Sequence, residues 1–378
     1  MRLLITDVGY GGVGVARSED GVVFVPGAFI GETIEAEPVS KRKRFTQARL
    51  VQVLDPSPDR IEPETPIVPG MTYAALRYDA EVALKHHQLR TLLTRIGKLP
   101  EPPLLPPVPS PQRDHYRNKL TLHWDGHALG YIGEDNRTVL DTPHCPLSNP
   151  EINAALTKLR QEAALRRLRP GSRVIFRYTA HDGARLGLGK PPAGELTEHL
   201  AGLNLSVAAD AFFQVNLVCA ELLLADFREA VRGAKSVFDL YCGCGLFGLV
   251  AAQTGAARVF GLETTPSAIR SAKRNAAAIG IDADYRCAPA ETLPDDLPPA
   301  DLWIVDPPRA GLSDIVRARI LRDLPPRLAY VSCGPDTLAR DLSALTAAYS
   351  IRSIRLFDFF PRTPHFETLT LLERKEHP

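Results

Sequence analysis

Cysteine, net charge and long apolar runs are all scarce in this 378-residue chain. The six cysteines are widely spread, which argues against a secreted disulfide scaffold and fits a reducing, cytoplasmic setting. Lysine and arginine total 45 against 44 aspartates and glutamates, a formal net charge of +1. There is then no global positive field, and any nucleic-acid contact must use local patches. No stretch approaches the roughly 18 consecutive apolar residues of a membrane span, and the apolar run in MRLLITDVGYGG is too short for a signal peptide. What is present is ordinary globular composition, 44% hydrophobic and 24% charged, which excludes a disordered chain, a collagen and a coiled coil. At roughly 100–200 residues per domain, the length predicts two or three domains. Proline alone is abundant, with 33 residues, many of them clustered.

Residues 1–54 read as short strands between glycine turns, the pattern of a small all-β barrel. The stretch Gly9-Tyr10-Gly11-Gly12-Val13-Gly14 lacks the Gly-Lys-Ser/Thr ending of a phosphate loop and reads as a β-turn. Lys41-Arg42-Lys43-Arg44-Phe45 is the densest basic run, either a solvated hairpin tip or a phosphate contact with an aromatic beside it. Residues 55–200 read as an α+β middle domain, with a linker at 55–70, a helix over 74–98, strands at 119–124 and 173–178 and one helix over 150–168. Seven prolines between Pro100 and Pro111 forbid a helix or central strand, so 100–112 is expected to be an extended connector. From about residue 235, strands (236–241, 258–262, 302–305, 328–331) alternate with helices (246–253, 267–279, 314–321, 335–347). Such alternation predicts a doubly wound, Rossmann-like parallel sheet within a third domain, 201–378, finished by a hairpin of 351–360 and 367–372.

The chemistry-bearing motifs fall in that last domain. Gly243, Gly245 and Gly248 form a GxGxxG at a strand-to-helix turn, where missing Cβ atoms let the backbone approach a ligand. Dinucleotides and S-adenosylmethionine both use such a turn. Asp239, placed to meet a cationic amino-acid portion, and Glu263, placed for a ribose diol, favour the second. Cys242 and Cys244 alone do not fill a metal shell, and no metal site is expected. Asp306-Pro307-Pro308-Arg309 follows a strand, which puts its carboxylate at the ligand crevice, and Arg309 could hold that carboxylate or a phosphate. Enzymes that methylate exocyclic amines carry an aromatic where Arg309 stands. Cys333, in Ser332-Cys333-Gly334-Pro335, opens a helix, where dipole and free amides would stabilise a nucleophilic thiolate; a buried structural thiol is the alternative. His365 and Glu367 lie in a Pro/Thr-shaped loop before the last strand, where Glu367 reads either as a base or as an ordinary strand-end acid. Of the adjacent Phe212 and Phe213, either both pack in the core or one stacks on a base.

Taken together, FFQVN, DLYCGCG, DPPRAGL, VSCGPDT and FPRTPHFET resemble the RNA 5-methyluridine methyltransferase family of the TrmA and RumA type, over nearly the whole chain. The N-terminal segment is similar to the TRAM barrel, an RNA-binding module of the OB-like kind. The resemblance implies S-adenosylmethionine as cofactor, bound by Gln214, Tyr241, Gly243, Gly245, Glu263 and Asp306. It implies Cys333 as nucleophile, Glu367 as proton-abstracting base, and Phe212, Arg309 and His365 against the substrate. The implied activity is methylation of uracil carbon 5 in RNA through a cysteine adduct at carbon 6, in 23S ribosomal RNA ahead of tRNA, by a monomer. Methylation of cytosine carbon 5 is the runner-up, followed by a non-catalytic RNA-binding protein. The family's ribosomal branch carries cysteines for an iron–sulfur cluster, but IEPETPIVPGMTYAAL (61–76) has none, and only Cys145 matches. One thiolate cannot hold a cluster needing about four, so no cluster is expected.

Overall fold

The computed structural model describes residues 1–19 and 21–376. They form two compact units, Met1–Thr91 with Phe360–Phe366, and Leu92–Phe359 with Glu367–Pro378.

In the first unit, strands β1 (Arg2–Gly9), β2 (Val13–Ser18), β3 (Gly21–Pro26), β4 (Thr33–Lys41) and β5 (Phe45–Asp55) close a barrel in the order β1-β2-β3-β5-β4. Alternation puts Leu3, Ile5, Val23, Val25, Ile34 and Ala36 inside, where Tyr73, Leu76 and Leu84 complete the core. Gly14 is required by packing, because a Cβ there would lie 2.7 Å from the Ala28 carbonyl oxygen. The stretch Gly9–Gly14 spans the β1–β2 turn, with Gly11 and Gly12 at positive φ, as a hairpin demands. Helix α1 (Tyr78–Arg95) begins in this unit. Its Glu81 and Lys85, both fully buried, pair at 2.8 Å, and Glu81 Oε1 also accepts from the Arg362 amide at 2.7 Å. That carboxylate thereby holds the 360–366 segment, where Arg362 sits at φ 68°.

The second unit opens with an antiparallel sheet of β6 (Lys119–Trp124), β7 (Leu129–Ile132), β8 (Val139–Asp141), β9 (Ser172–Thr179) and β10 (Gly183–Leu188), ordered β10-β9-β6-β7-β8. The single helix expected over 150–168 is broken into α2 (Pro150–Gln161) and α3 (Ala163–Arg166), because Glu162 adopts an extended ψ of 141°. A hairpin of β11 (Glu195–Leu200) and β12 (Leu203–Ala208) and helix α4 (Leu217–Val231) lead into the main sheet.

That sheet contains β13 (Ser236–Leu240), β14 (Arg258–Glu263), β15 (Ala283–Cys287), β16 (Leu302–Val305), β17 (Arg327–Ser332), β18 (Tyr349–Phe357) and β19 (Glu367–Arg374), in the order β15-β14-β13-β16-β17-β19-β18. Helices α5 (Leu246–Gln253), α6 (Pro266–Ala278), α7 (Asp314–Asp323) and α8 (Pro335–Leu345) connect the parallel strands. The expected doubly wound fold is thus present, and the last strand lies antiparallel between β17 and β18. The proline-rich connector is not merely a spacer. It runs parallel to β18, with the Leu105 and Val108 amides each donating at 2.8 Å to the carbonyls of Ile354 and Leu356. Its non-proline residues supply the donors that proline lacks, and so cover what would be an open sheet edge.

Candidate active site

Strand register alone brings five of the chemistry-bearing residues to one edge of the sheet. Leu240 pairs with Leu262 and with Val305, so Tyr241, Glu263 and Asp306 stand level at or just past the carboxyl ends of β13, β14 and β16. Ser332 pairs with Thr368 across the antiparallel β17–β19 ladder, so the next residues outward are Cys333 and Glu367. The Thr368 hydroxyl donates to the Ser332 carbonyl at 3.1 Å and pins that register. Ligands of such sheets bind outside the carboxyl ends of the strands.

The glycine turn is shaped for a small ligand. Gly243 and Gly245 adopt positive φ, and Tyr241, at φ 66°, is held in the left-handed region that costs a non-glycine residue energy. A Cβ at Gly248 would lie 2.8 Å from a Val259 methyl and 3.0 Å from Asp239 Oδ2, so only glycine lets α5 sit this close to the strands. The Gly243 amide faces Glu263 Oε2 at 3.3 Å, and Glu263 Oε1 accepts from the Thr265 amide at 2.7 Å. Asp239 is fully buried; its Oδ2 accepts from the Gly248 amide at 2.9 Å, while Oδ1 has no hydrogen-bond partner among the described residues. Cys242 and Cys244 are buried thiols, Cys244 pushed up to about 12 by desolvation. Among the described residues no group of His, Cys, Asp and Glu is arranged to hold a metal ion.

Desolvation pushes Asp239 and Asp306 up to about 7, with the Glu263 charge raising both and the Asp239 charge adding to the shift of Asp306. Three carboxylates around one glycine turn, one with an orphaned buried oxygen, form a site that favours a cationic guest. S-adenosylmethionine carries a sulfonium and an ammonium, and the residues present fit it. One consequence is measurable. A carboxyl whose folded pKa is raised contributes stability that is present below its unfolded value near 4 and lost as pH rises through the folded value. The ligand-free protein should therefore melt at a lower temperature at pH 8 than at pH 5.5, and Asp306→Asn should reduce the difference. Equal melting of wild type and variant at both pH values would contradict this electrostatic picture.

Cys333 departs from the sequence expectation. It is half-buried and precedes α8, whose N-cap is Gly334, yet the helix end does not dominate. Burial and the charges of Glu367 and Asp306 push its thiol up to about 12, against a smaller opposing effect of Arg309. The resting group is a thiol. Glu367, almost wholly buried, is likewise held well above the carboxylate range by desolvation and then by Asp306, again opposed by Arg309. Arg309 itself is exposed and makes no ion pair with Asp306 among the described residues, so it acts here through its field.

Phe212 and Phe213 take opposite roles: Phe213 is core, at 4% exposure, and Phe212 is 65% exposed. Gln214 is nearly buried, its carbonyl accepting from Asn118 Nδ2 at 2.9 Å. His365 belongs to the first unit, where it lies edge-to-face with Phe360 and its amide donates to the Thr363 hydroxyl. Cys145 is fully buried, 3.3 Å from the Tyr131 hydroxyl.

Sequence reasoning missed two residues that join the DPPR loop to the helix after Cys333. Buried Asp341 on α8 accepts from the Leu312 amide and the Tyr330 hydroxyl, both at 2.8 Å, and from Arg317 Nη1 at 2.7 Å. The Thr337 hydroxyl reaches the carbonyls of Arg309 at 2.9 Å and Gly334 at 3.0 Å. These partners are separated by up to 29 residues in sequence, so no local pattern announces them.

Comparison with known proteins gives a consistent result. The family model for tRNA (Uracil-5-)-methyltransferase matches residues 300–375, and that for ribosomal protein L11 methyltransferase matches residues 218–323. An uncharacterised RNA methyltransferase of Thermosynechococcus vestitus is 30% identical over 98% of this chain and 97% of its own. One of Aquifex aeolicus is 28% identical over 100% and 99%. Among solved structures, the Pyrococcus abyssi tRNA (uracil-54, C5)-methyltransferase in complex with S-adenosyl-L-homocysteine superposes with a TM-score of 0.80 at 24% identity, over 98% of this chain and 100% of that one. At that identity the likeness is one of fold.

Proposed function

The chain belongs to the S-adenosylmethionine-dependent RNA uracil-5 methyltransferases, and from that premise we propose that it forms 5-methyluridine through a covalent adduct between Cys333 and carbon 6 of the target uracil. The observation that carries this reading is the β17–β19 register, which makes Cys333 and Glu367 neighbours at the carboxyl edge of the sheet. Bound S-adenosylmethionine supplies an electrophilic methyl group. Asp306, Glu263, Gln214, Tyr241 and the amides of Gly243 and Gly245 hold it.

Carbon 5 of uracil is a poor nucleophile until carbon 6 is attacked. The Cys333 thiol and the Glu367 carboxyl first release their protons to solvent, steps favoured by the positive field of Arg309 and by cationic charge entering the carboxylate cluster. The sulfur–carbon 6 bond then forms, and the pair of the carbon 5–carbon 6 double bond becomes an enolate with charge on carbon 5. Carbon 5 would take the methyl group as the sulfonium–methyl bond breaks and S-adenosylhomocysteine leaves with that electron pair, the site supplying proximity. The ionised Glu367 carboxylate accepts the proton on carbon 5, and the double bond re-forms as the thiolate leaves. The base must leave its stack to enter, at a cost of a few kcal/mol. Stacking on the exposed Phe212 ring offsets roughly 1–3 kcal/mol of that.

The N-terminal barrel supports a reading as a TRAM-type RNA-binding module and, with it, 23S ribosomal RNA as the target, in the cytoplasm and by a monomer. The fold likeness to a tRNA enzyme supports transfer RNA as the second reading. Incubation of unmodified ribosomal and transfer RNA with methyl-labelled S-adenosylmethionine, followed by nucleoside mass spectrometry, tests both. The expected product is 5-methyluridine. Exclusive 5-methylcytidine, or no labelled nucleoside from either RNA, would overturn the proposal.

A further inference from the structure

The basic run that stands out in the sequence is 41–44, but the second unit carries another cationic surface. Arg166, Arg167, Arg169 and Arg173 fall within eight residues at the α3–β9 junction, and all four are exposed. The turn that bears them is firmly built. Leu165 is buried beneath it, the Gly171 amide donates to the Trp124 carbonyl at 2.7 Å, and the Ser172 amide donates to the Arg169 carbonyl at 3.1 Å.

Arginines elsewhere in this unit repeatedly meet carboxylates, as in Arg160–Asp141, Arg286–Asp284 and Arg319–Asp323. These four make no ion pair or side-chain hydrogen bond among the described residues. The only acid in the turn's own stretch is Glu162. A merely solvated face has no need to keep four guanidinium groups together and unpaired.

The charge also continues inward. Arg173 and Arg177 lie on one face of β9, roughly 13 Å apart at strand rise. Across the ladder Arg173 pairs with His123 and Arg177 with Lys119. Lys119 is half-buried, and its pKa is lowered by desolvation and by the charges of Arg177 and Arg173, so the three act as one positive region. Glu198 offsets part of the Arg177 charge. Fully buried Arg177 donates through Nη1 to the Ala211 carbonyl at 3.1 Å, and the next residue is the exposed Phe212. Positive charge thus extends along β9 from the exposed arginine turn to buried Arg177, which anchors the backbone next to Phe212.

We propose that the Arg166–Arg173 turn is a docking surface for the phosphate backbone of the substrate RNA. This rests on the RNA methyltransferase reading and adds a surface that holds RNA outside the catalytic edge. The recognition is of phosphate and not of base sequence.

The test is the Arg166→Gln/Arg167→Gln/Arg169→Gln variant, changed only at exposed positions. Its binding to an unmodified, in vitro transcribed tRNA is measured over a salt series, alongside S-adenosylmethionine binding by calorimetry. Each phosphate contact contributes about 0.7–0.9 to the slope of log affinity against log salt, so the slope should fall by about 2–3. The KM for RNA should rise, with cofactor affinity unchanged. A slope and a KM matching wild type would overturn the docking surface. Wild-type protein that methylates no RNA would instead count against the underlying reading, and the slope comparison would still decide the docking surface.

Discussion

Replacing Cys333 with alanine abolishes methyl transfer while leaving cofactor affinity near wild type. The thiol is the only group in this account that makes carbon 5 nucleophilic, so its loss should lower turnover by roughly four or more orders of magnitude. The cofactor contacts assigned above reside on other strands: Glu263 on β14, and Tyr241 and Asp306 just past β13 and β16. Removing the sulfur takes away no carboxylate, so S-adenosylmethionine should bind with a dissociation constant within a few-fold of wild type. Calorimetry and a labelled-methyl assay on one protein preparation separate the two effects. Turnover within ten-fold of wild type would remove Cys333 from the mechanism. Joint loss of turnover and cofactor binding would mean that the residue serves the fold.

Glu367→Gln separates chemistry from architecture in a different way. Burial raises the Glu367 carboxyl well above the ordinary carboxylate range, which favours its neutral form in the resting protein. Glutamine is a neutral near-isostere, and thermal stability at pH 7 should change little. Turnover should nevertheless fall by about 100- to 10,000-fold, the usual contribution of a positioned base. Addition and methyl transfer precede the step that needs this base, so the methylated RNA should remain attached to Cys333. A denaturing gel should show a protein–RNA band in the variant and little in wild type. A variant that turns over normally, or is inactive with no trapped band, would assign proton removal to another group.

Much of this site is legible in sequence because its residues follow strands that are themselves legible. Short apolar runs such as Leu302–Val305 announce buried strands, and in a doubly wound sheet their carboxyl ends must border the crevice. That logic placed Glu263, Asp306 and Cys333 correctly at the edge. It failed where tertiary context overrides local signal. β15 reads ADYRC, with one buried side chain, and carries no apolar run to betray it. The proline-rich connector was rightly denied a helix, but nothing local reveals that Leu105 and Val108 donate to β18. A helix end alone predicts a Cys333 thiolate, but burial and two carboxylates brought in from β16 and β19 outweigh it and push the thiol up. Asp341 looks like any polar residue of an amphipathic helix until Leu312, Arg317 and Tyr330 arrive beside it.

The central claim is that a covalent bond joins Cys333 to carbon 6 during methyl transfer. RNA transcribed with 5-fluorouridine tests it most directly, because a fluorine at carbon 5 cannot be removed as a proton and the last step stalls. Incubated with the wild-type protein and S-adenosylmethionine, then digested and analysed by mass spectrometry, this RNA should yield a methylated fluorouridine attached to the peptide containing Cys333. Methylation of ordinary uridine RNA by the same preparation, with no adduct on the fluorinated RNA or with the adduct on another residue, would contradict the account.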